Sequence, residues 1–224
     1  MRLDDSSGQL APEFNPFAED YLAEILLAVT VAWQQMPKPK RNEIENKITS
    51  RLAGWLMNAP DFIERLPFHI IPQYEIPDLQ GKILGRLDIC FKFMQTTREY
   101  FAFEAKRLHV SYPGGTFSNE HSIYVGNEGM MAFIDEQYSK SLPVGGMLGY
   151  VMDGKTKKAW DGLEAQIENR RNELKLVPSS KLAKPLLSHI ETKGMQGTLL
   201  GETAHQLKHK LRLFHLLLPV TASN

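Results

Sequence analysis

The sequence predicts an α/β protein in which a central mixed sheet is flanked by helices and the core elements follow the order αβββαβ. Segments with apolar residues at helical spacing alternate along the 224-residue chain with short runs of aliphatic and aromatic residues. The run at residues 147–152 is apolar without interruption, which is typical of a strand buried on both faces of a sheet. Together these patterns indicate one large α/β domain with terminal additions.

Two helices are predicted ahead of the first strand. The first covers residues 17–33, and the second runs from about Arg41 to Met57. Pro37 and Pro39 separate them, because two prolines within three residues cannot continue a helix. The apolar positions that define them are Phe17, Tyr21, Ile25, Val29 and Trp33 in the first helix and Ile44, Ile48, Leu52, Trp55 and Leu56 in the second.

Three strands are predicted next, at residues 68–76, 81–93 and 100–107. The first is interrupted at Pro72, and a polar turn at residues 95–99 joins the second to the third. Side chains alternate between the two faces of a strand. In the second strand, alternation predicts one face with Leu87, Ile89, Phe91 and Phe93 and the opposite face with Arg86, Asp88, Cys90 and Lys92.

The third strand carries two charged side chains on one face. Glu104 and Lys106 are two residues apart and therefore project together, while Phe101, Phe103 and Ala105 share the opposite face. A strand of this composition is expected to be covered on both faces, where a charge is unfavourable unless it is paired or bound to a metal.

The remaining elements are predicted from weaker patterns. A long polar loop covers residues 109–126, and a helix then places Met130, Phe133, Ile134, Gln137 and Tyr138 on one side. After the strand at 147–152 we expect a helix over residues 155–174, late strands at 186–192 and 211–220, and a helical turn near Ala204. The domain prediction is an N-terminal helical extension (1–37), a core (38–152), and a C-terminal helix and strands packed on the same domain (153–224).

Pairing the second and third strands through their turn brings Asp88, Glu104 and Lys106 to one place. Two carboxylates that lie close together repel each other unless a cation sits between them. Hard oxygen ligands on rigid strands suit Mg²⁺ or Mn²⁺. The sequence therefore predicts a divalent-cation site here, with a surface ion pair as the alternative interpretation of Glu104 and Lys106.

Asp88, followed on the next strand by Glu104-x-Lys106, resembles the signature of the PD-(D/E)XK nuclease superfamily, which has the restriction-endonuclease-like fold. The resemblance covers roughly residues 40–152, and it departs from the pattern at Leu87, where the signature has proline. It implies that Asp88, Glu104 and the backbone carbonyl of Ala105 hold Mg²⁺ or Mn²⁺. It also implies that Lys106 orients or polarises the attacking water.

The superfamily often adds a carboxylate from the first core helix, which completes the metal shell or helps to hold a second ion. Glu45 lies at the edge of the apolar stripe of that helix and is preferred, while Glu43, which points away from the stripe, is the other option. Gln137 is either a residue that steadies the site or contacts nucleic acid, or a polar residue at the edge of its stripe. Arg86 is a candidate either for a contact with nucleic-acid phosphate or for balancing the charge of the carboxylates, and Arg107 is a candidate for a phosphate contact.

The function implied by the resemblance is metal-dependent hydrolysis of phosphodiester bonds in DNA, by an endonuclease rather than an exonuclease. Many such nucleases act in restriction or phage-defence systems with a homo-oligomeric or partner-dependent assembly. The alternatives are a non-catalytic module of the same fold that binds nucleic acid or a partner subunit, and a nuclease that acts on RNA.

Charge and composition set further limits. Lys plus Arg and Asp plus Glu both total 26, so the net charge is formally zero, which counts against tight DNA binding by the isolated chain. Residues 151–224 carry 12 basic and 7 acidic side chains, so that third is the expected phosphate-facing surface. The single cysteine, Cys90, the lack of a signal-peptide pattern and the lack of a transmembrane run predict a cytoplasmic protein that needs no membrane.

Other chemistries have no support in the sequence. The seven histidines do not form a His-Glu-x-x-His frame, which disfavours a zinc site. The chain also lacks a Gly-x-Ser-x-Gly elbow and a Gly-x-x-x-x-Gly-Lys-Ser/Thr loop, which disfavours esterase and NTPase activity.

Overall fold

A computed structural model describes residues 19–59, 66–93, 100–138, 142–185 and 197–220. Within these ranges the chain forms a mixed six-stranded sheet with helices on both faces, and a separate two-stranded ribbon. The helices are α1 (Glu19–Gln35), α2 (Glu45–Met57), α3 (His121–Val125), α4 (Met130–Ile134) and α5 (Thr156–Asn169). The strands are β1 (Phe68–Pro77), β2 (Ile83–Phe93), β3 (Tyr100–Leu108), β4 (Val110–Ser111), β5 (Phe117–Ser118), β6 (Val144–Val151), β7 (Leu199–Gln206) and β8 (Lys210–Pro219). The predicted α/β class is confirmed.

The strand order of the large sheet is β1-β2-β3-β6-β8-β7. The first three strands pair antiparallel in sequence order. β3 and β6 are parallel, as are β6 and β8, so the two central pairings need crossovers, which helices α3, α4 and α5 help to supply. All eight residues of β6 are buried, as the uninterrupted apolar run predicts.

Two apolar clusters cover the two faces of this sheet. One combines α1 and α2 with side chains of β2 and β3 such as Ile89, Phe91 and Phe103. The other combines α3, α4 and α5 with Leu87, Cys90 and other residues of the opposite face. Because α1 packs in the same cluster as the central strands, it belongs to the core of the fold. Cys90 is buried among apolar neighbours, and burial raises the pKa of its thiol to about 12.

The strict alternation predicted for β2 is wrong at Leu87. Leu87 packs in the same cluster as Cys90, whereas Ile89 packs in the cluster on the other face, so the pleat shifts at Asp88. The same shift occurs in β1, where Ile71 and Tyr74 pack against one cluster. Gln73, between them, has a left-handed backbone with φ of +52°. A positive φ in one strand breaks the two-residue period, and the paired strand follows it.

Several local predictions are corrected. The second helix begins at Glu45, not at Arg41, and Ile44 is exposed ahead of it. The predicted helix over residues 130–138 ends at Ile134, so Gln137 and Tyr138 lie in a bend after it. The predicted loop at 109–126 contains β4, β5 and α3.

Of the C-terminal predictions, one strand is confirmed and the helical turn is wrong. Ala204 lies in the strand β7, which the sequence did not predict, and not in a helical turn. The strand predicted at 211–220 is present as β8. The strand predicted at 186–192 and the turn at 95–99 lie outside the described residues. No helix in the described ranges is long and apolar enough to cross a membrane.

Two glycines inside helices give a matched test of this packing. A Cβ built on Gly162 of α5 would lie 1.9 Å from the buried ring of His121, whereas one built on Gly54 of α2 meets no heavy atom within 4 Å. We expect Gly162→Ala to lower the free energy of unfolding by roughly 1–3 kcal/mol, because the ring has to move within a packed core. Gly54→Ala should raise it by about 0.5–1 kcal/mol through the higher helix propensity of alanine. Urea denaturation followed by circular dichroism measures both, and equal effects of the two substitutions would contradict the packing of α3 on α5.

Candidate metal centre

The candidate site lies where β2 and β3 stop pairing. Their ladder runs from Lys92 opposite Tyr100 to Ile89 opposite Phe103. At the next position, Asp88 on β2 and Glu104 on β3 are no longer paired through the backbone, and the side-chain carboxylate of Asp88 bonds to β3 instead. Its Oδ2 accepts a hydrogen bond of 2.8 Å from the backbone N–H of Ala105. The end of the ladder thus opens a gap that carboxylate side chains fill.

The second oxygen of Asp88 is held from the other side, by strand β1. The Nε2 of Gln73 donates to Asp88 Oδ1 at 3.0 Å. Gln73 lies opposite Asp88 in the β1–β2 register, between the pairs Pro72–Ile89 and Tyr74–Leu87. Asp88 is 8% exposed, and both of its oxygens accept a hydrogen bond.

Glu104 is held in the same way by two different donors. Its Oε1 accepts from the Lys106 ammonium at 2.7 Å, and its Oε2 accepts from the hydroxyl of Tyr138 at 2.7 Å. The ammonium also donates to the backbone carbonyl of Ala105 at 2.8 Å and lies 3.4 Å from Glu45 Oε1. Glu104 and Lys106 are 6% and 7% exposed, so this is a buried ion pair with a further carboxylate beside it.

Glu45 reaches the cluster from the first residue of α2. Its Oε2 accepts a 2.8 Å hydrogen bond from the backbone N–H of Arg107, which fixes the start of the helix against β3. The side chain of Glu43 turns away and pairs with Arg51. The structure thus brings Glu45 into the cluster and keeps the Glu43 carboxylate out of it. Glu45, the glutamate that the sequence favours, is therefore the one that lies beside Lys106.

The pKa values follow from three carboxylates that share one ammonium. Burial and, to a smaller extent, the neighbouring Asp88 raise the pKa of Glu104 to about 7, because Lys106 and Tyr138 only partly offset these effects. Burial also raises the pKa of Glu45, against the lowering effect of Lys106. For Lys106, burial acts to lower the pKa, but Glu104 and Glu45 outweigh it, so its pKa is raised and the ammonium stays charged at neutral pH.

The three residues predicted to contact nucleic acid lie at different distances from this cluster. Arg107 adjoins it, and its guanidinium donates to the backbone carbonyl of Glu43 at 3.3 Å. Arg86 is exposed on β2, opposite Glu75 of β1. Gln137 is exposed beyond the end of α4, so it does not share a buried stripe with Phe133 as predicted. Its neighbour Tyr138 contacts the site instead.

The cluster offers oxygen donors of the kind that hard divalent cations prefer. Asp88, Glu104 and the Ala105 carbonyl offer oxygen atoms only, and the two buried carboxylates repel each other. In the described part of the chain, no three or more His, Cys, Asp and Glu side chains are grouped so that they could hold a metal ion. A cation here would therefore be coordinated by the carboxylates of Asp88 and Glu104 and by the Ala105 carbonyl. This is the region where the Lys106 ammonium contacts Glu104 and Ala105.

Sequence reasoning missed two residues of this site. Gln73 carries no signal in the sequence, since a polar residue in a strand with exposed positions is common. The sequence places Tyr138 on one side with apolar residues, which is correct for its buried ring but gives no sign of the contact that its hydroxyl makes. A buried tyrosine needs a partner for its hydroxyl, and that rule points to a polar group near Tyr138 without saying which one.

Comparison of the chain with protein-family models, with curated proteins and with solved structures gave no match.

Glu104 makes the stability of the protein depend on pH in a defined direction. Its pKa of about 7 in the folded chain lies above the ordinary value of 4.5. Between these values the folded state binds more protons than the unfolded state, so stability falls as the pH rises from 4.5 to about 7. At about 1.4 kcal/mol per pKa unit, the loss amounts to as much as roughly 3 kcal/mol.

We expect Glu104→Gln to lack this part of the pH dependence, because glutamine does not titrate. The measurement is the free energy of unfolding in urea at several pH values across this range. Thr30→Val is the control, since it removes a buried hydroxyl that bonds to the Leu26 carbonyl within α1 and should keep the wild-type slope. The same slope in Glu104→Gln as in the wild type would contradict the raised pKa.

Proposed function

We propose that this protein is a metal-dependent nuclease that hydrolyses phosphodiester bonds in DNA. The observation that carries the proposal is the convergence of Asp88, Glu104 and Lys106 at the end of the β2–β3 ladder, with Glu45 arriving from α2. These are the residue types that the sequence signature requires. Because these residues are buried, a surface ion pair does not account for them. Burying charged groups costs free energy through desolvation.

The fold that we propose is restriction-endonuclease-like. It is supported by the order of elements α2, β1, β2, β3, α4 and β6, in which the first three strands are antiparallel neighbours and β6 is parallel to β3. The charged residues lie on the second and third of these strands and at the start of the first core helix. That arrangement is the one the PD-(D/E)XK resemblance implies.

Asp88, Glu104 and the carbonyl of Ala105 would hold Mg²⁺ or Mn²⁺ in this proposal, with Glu45 beside them. The bound ion would polarise a phosphoryl oxygen and lower the pKa of a water molecule. Lys106 stays protonated because two carboxylates raise its pKa. It therefore acts as a hydrogen-bond donor that orients water or a phosphate oxygen, and not as a general base.

Glu45 is the carboxylate with the most access to solvent, since its side chain is 25% exposed against 8% for Glu104. Burial raises its pKa, and a carboxylate with a raised pKa is a stronger base. We assign to it the role of accepting the proton of the attacking water, with the Arg107 backbone N–H holding its other oxygen.

A non-catalytic module is the second candidate, and one observation favours it. All four oxygens of Asp88 and Glu104 already accept hydrogen bonds from within the chain, so the cluster is satisfied as an internal ion-pair network. In that case the fold would serve to bind nucleic acid or a partner subunit. Calorimetric titration with Mg²⁺ separates the candidates, because only a metal centre loses binding on Glu104→Ala.

The zero net charge bears on partners. A nuclease without excess positive charge binds DNA weakly as a lone chain, because phosphate neutralisation supplies most of the non-specific affinity. We therefore propose that oligomerisation or a partner subunit contributes to DNA binding, as in a restriction or phage-defence system of the cytoplasm. RNA is the alternative substrate.

The central test is cleavage of plasmid, linear and single-stranded DNA with Mg²⁺ or Mn²⁺, and with EDTA. We expect Asp88→Ala and Lys106→Ala each to lower the cleavage rate by roughly a hundredfold or more, because each removes a charge from the reacting centre. EDTA should have the same effect on the wild type.

The matched controls are Asp161→Ala and Lys157→Ala, which remove an exposed carboxylate and an exposed ammonium from α5. Both should cleave like the wild type. Circular dichroism of each variant checks that it is folded. Undiminished cleavage by both Asp88→Ala and Lys106→Ala would contradict the proposed function.

A further inference from the structure

Two uncharged side chains hold the two carboxylates of the candidate centre. Gln73 donates to Asp88 and Tyr138 donates to Glu104, and each contacts one oxygen only. The partner oxygens are taken by groups on β3, namely the Ala105 N–H and the Lys106 ammonium. A carboxylate oxygen has two lone pairs, so one hydrogen bond to each oxygen leaves acceptor capacity for a cation.

The backbone of Gln73 is strained in a way that its position explains. Its φ of +52° is uncommon for a residue other than glycine, and it stands in the middle of a ten-residue strand. Such strain persists only where surrounding structure imposes it, and it often marks functional sites. Here the strain accompanies the shift of pleat that turns Asp88 toward β3, and it places the Gln73 amide opposite the Asp88 carboxylate.

The hydroxyl of Tyr138 is fixed by packing around its ring. The ring lies edge-on to Phe133 with centroids 5.0 Å apart, and a Cβ built on Gly85 would lie 3.0 Å from it. The backbone carbonyl of Tyr138 accepts a 2.5 Å hydrogen bond from the hydroxyl of Tyr100. The side chain therefore has little freedom, and its hydroxyl remains on Glu104 Oε2.

We propose that Gln73 and Tyr138 are positioning residues, each of which fixes the orientation of one carboxylate so that the two carboxylates together accept a divalent cation. The proposal rests on the proposed function, because it assigns Asp88 and Glu104 as ligands. Donors that orient ligating side chains contribute substantially to metal affinity without touching the ion. Both residues lie outside the signature motif: Gln73 is on β1, and Tyr138 follows α4.

Two tyrosines provide a matched pair of substitutions. Tyr138→Phe removes the hydroxyl on Glu104 and keeps the packed ring, and Tyr124→Phe removes another buried hydroxyl, which bonds to the ring of His215. We expect Tyr138→Phe to weaken Mn²⁺ binding in calorimetry by about tenfold or more. We expect Tyr124→Phe to keep the wild-type affinity, although it also loses a buried hydrogen bond.

Gln73→Asn separates positioning from structure. Asparagine keeps the amide and tolerates a left-handed backbone better than glutamine, but it is one methylene shorter and does not reach Asp88. We expect its melting temperature to be no lower than that of the wild type, while Mn²⁺ affinity falls by about tenfold. The Mg²⁺ concentration for half-maximal DNA cleavage should rise in parallel in Gln73→Asn and Tyr138→Phe.

The outcomes distinguish this inference from the proposed function. Wild-type Mn²⁺ affinity in both Gln73→Asn and Tyr138→Phe, with binding lost in Asp88→Ala, overturns the positioning roles and leaves the nuclease proposal in place. A loss in only one of the two overturns the role of the other. A wild-type chain that binds no Mn²⁺ and cuts no DNA overturns both proposals.

Discussion

The candidate centre depends on the contacts of one buried positive charge, the ammonium of Lys106. It touches Glu104, the carbonyl of Ala105 and Glu45, and it lies on the central strand β3. Without a positive charge there, the carboxylates of Asp88, Glu104 and Glu45 would face each other in a poorly solvated gap. Removing one partner of such a cluster leaves uncompensated buried charge, which is strongly destabilising. The chain thus carries its own cation at the place where an external one is proposed to bind.

The surrounding fold makes this cluster possible by combining a rigid centre with one irregular edge. β3 and β6 are buried along nearly their whole length, and the parallel pairing fixes the backbone of Glu104 and Lys106. On the other side, β2 is paired with β3 from Lys92 back to Ile89 but not at Asp88. The shift of pleat at Gln73 and Asp88 lies at this end of the pairing. The carboxylate of Asp88 replaces the missing backbone pair through Ala105. A regular ladder would have left no room for side chains between the strands.

Helix α2 completes the centre from the face opposite Tyr138. The helix is held by the bond between Glu45 and the Arg107 N–H and by the hydrogen bond of 3.0 Å between Thr49 and the hydroxyl of Tyr150 on β6. Tyr138 reaches Glu104 from the cluster formed by α3, α4 and α5. The two layers that cover the sheet therefore meet at the gap between β2 and β3, and the charges of the site are linked to both halves of the core.

The sequence by itself determined the α/β class, the identity of β2, β3, β6 and β8, and the pairing of Glu104 with Lys106 on one side of a strand, because these follow from local periodicity. It also favoured Glu45 over Glu43, since the phase of a helix is a local property. Only the tertiary structure decided the shift of pleat at Gln73 and Asp88, the end of α4 at Ile134 and the contact of Tyr138 with Glu104. Each of these depends on a strand or layer that is distant in sequence, and no two-residue or 3.6-residue period records such contacts.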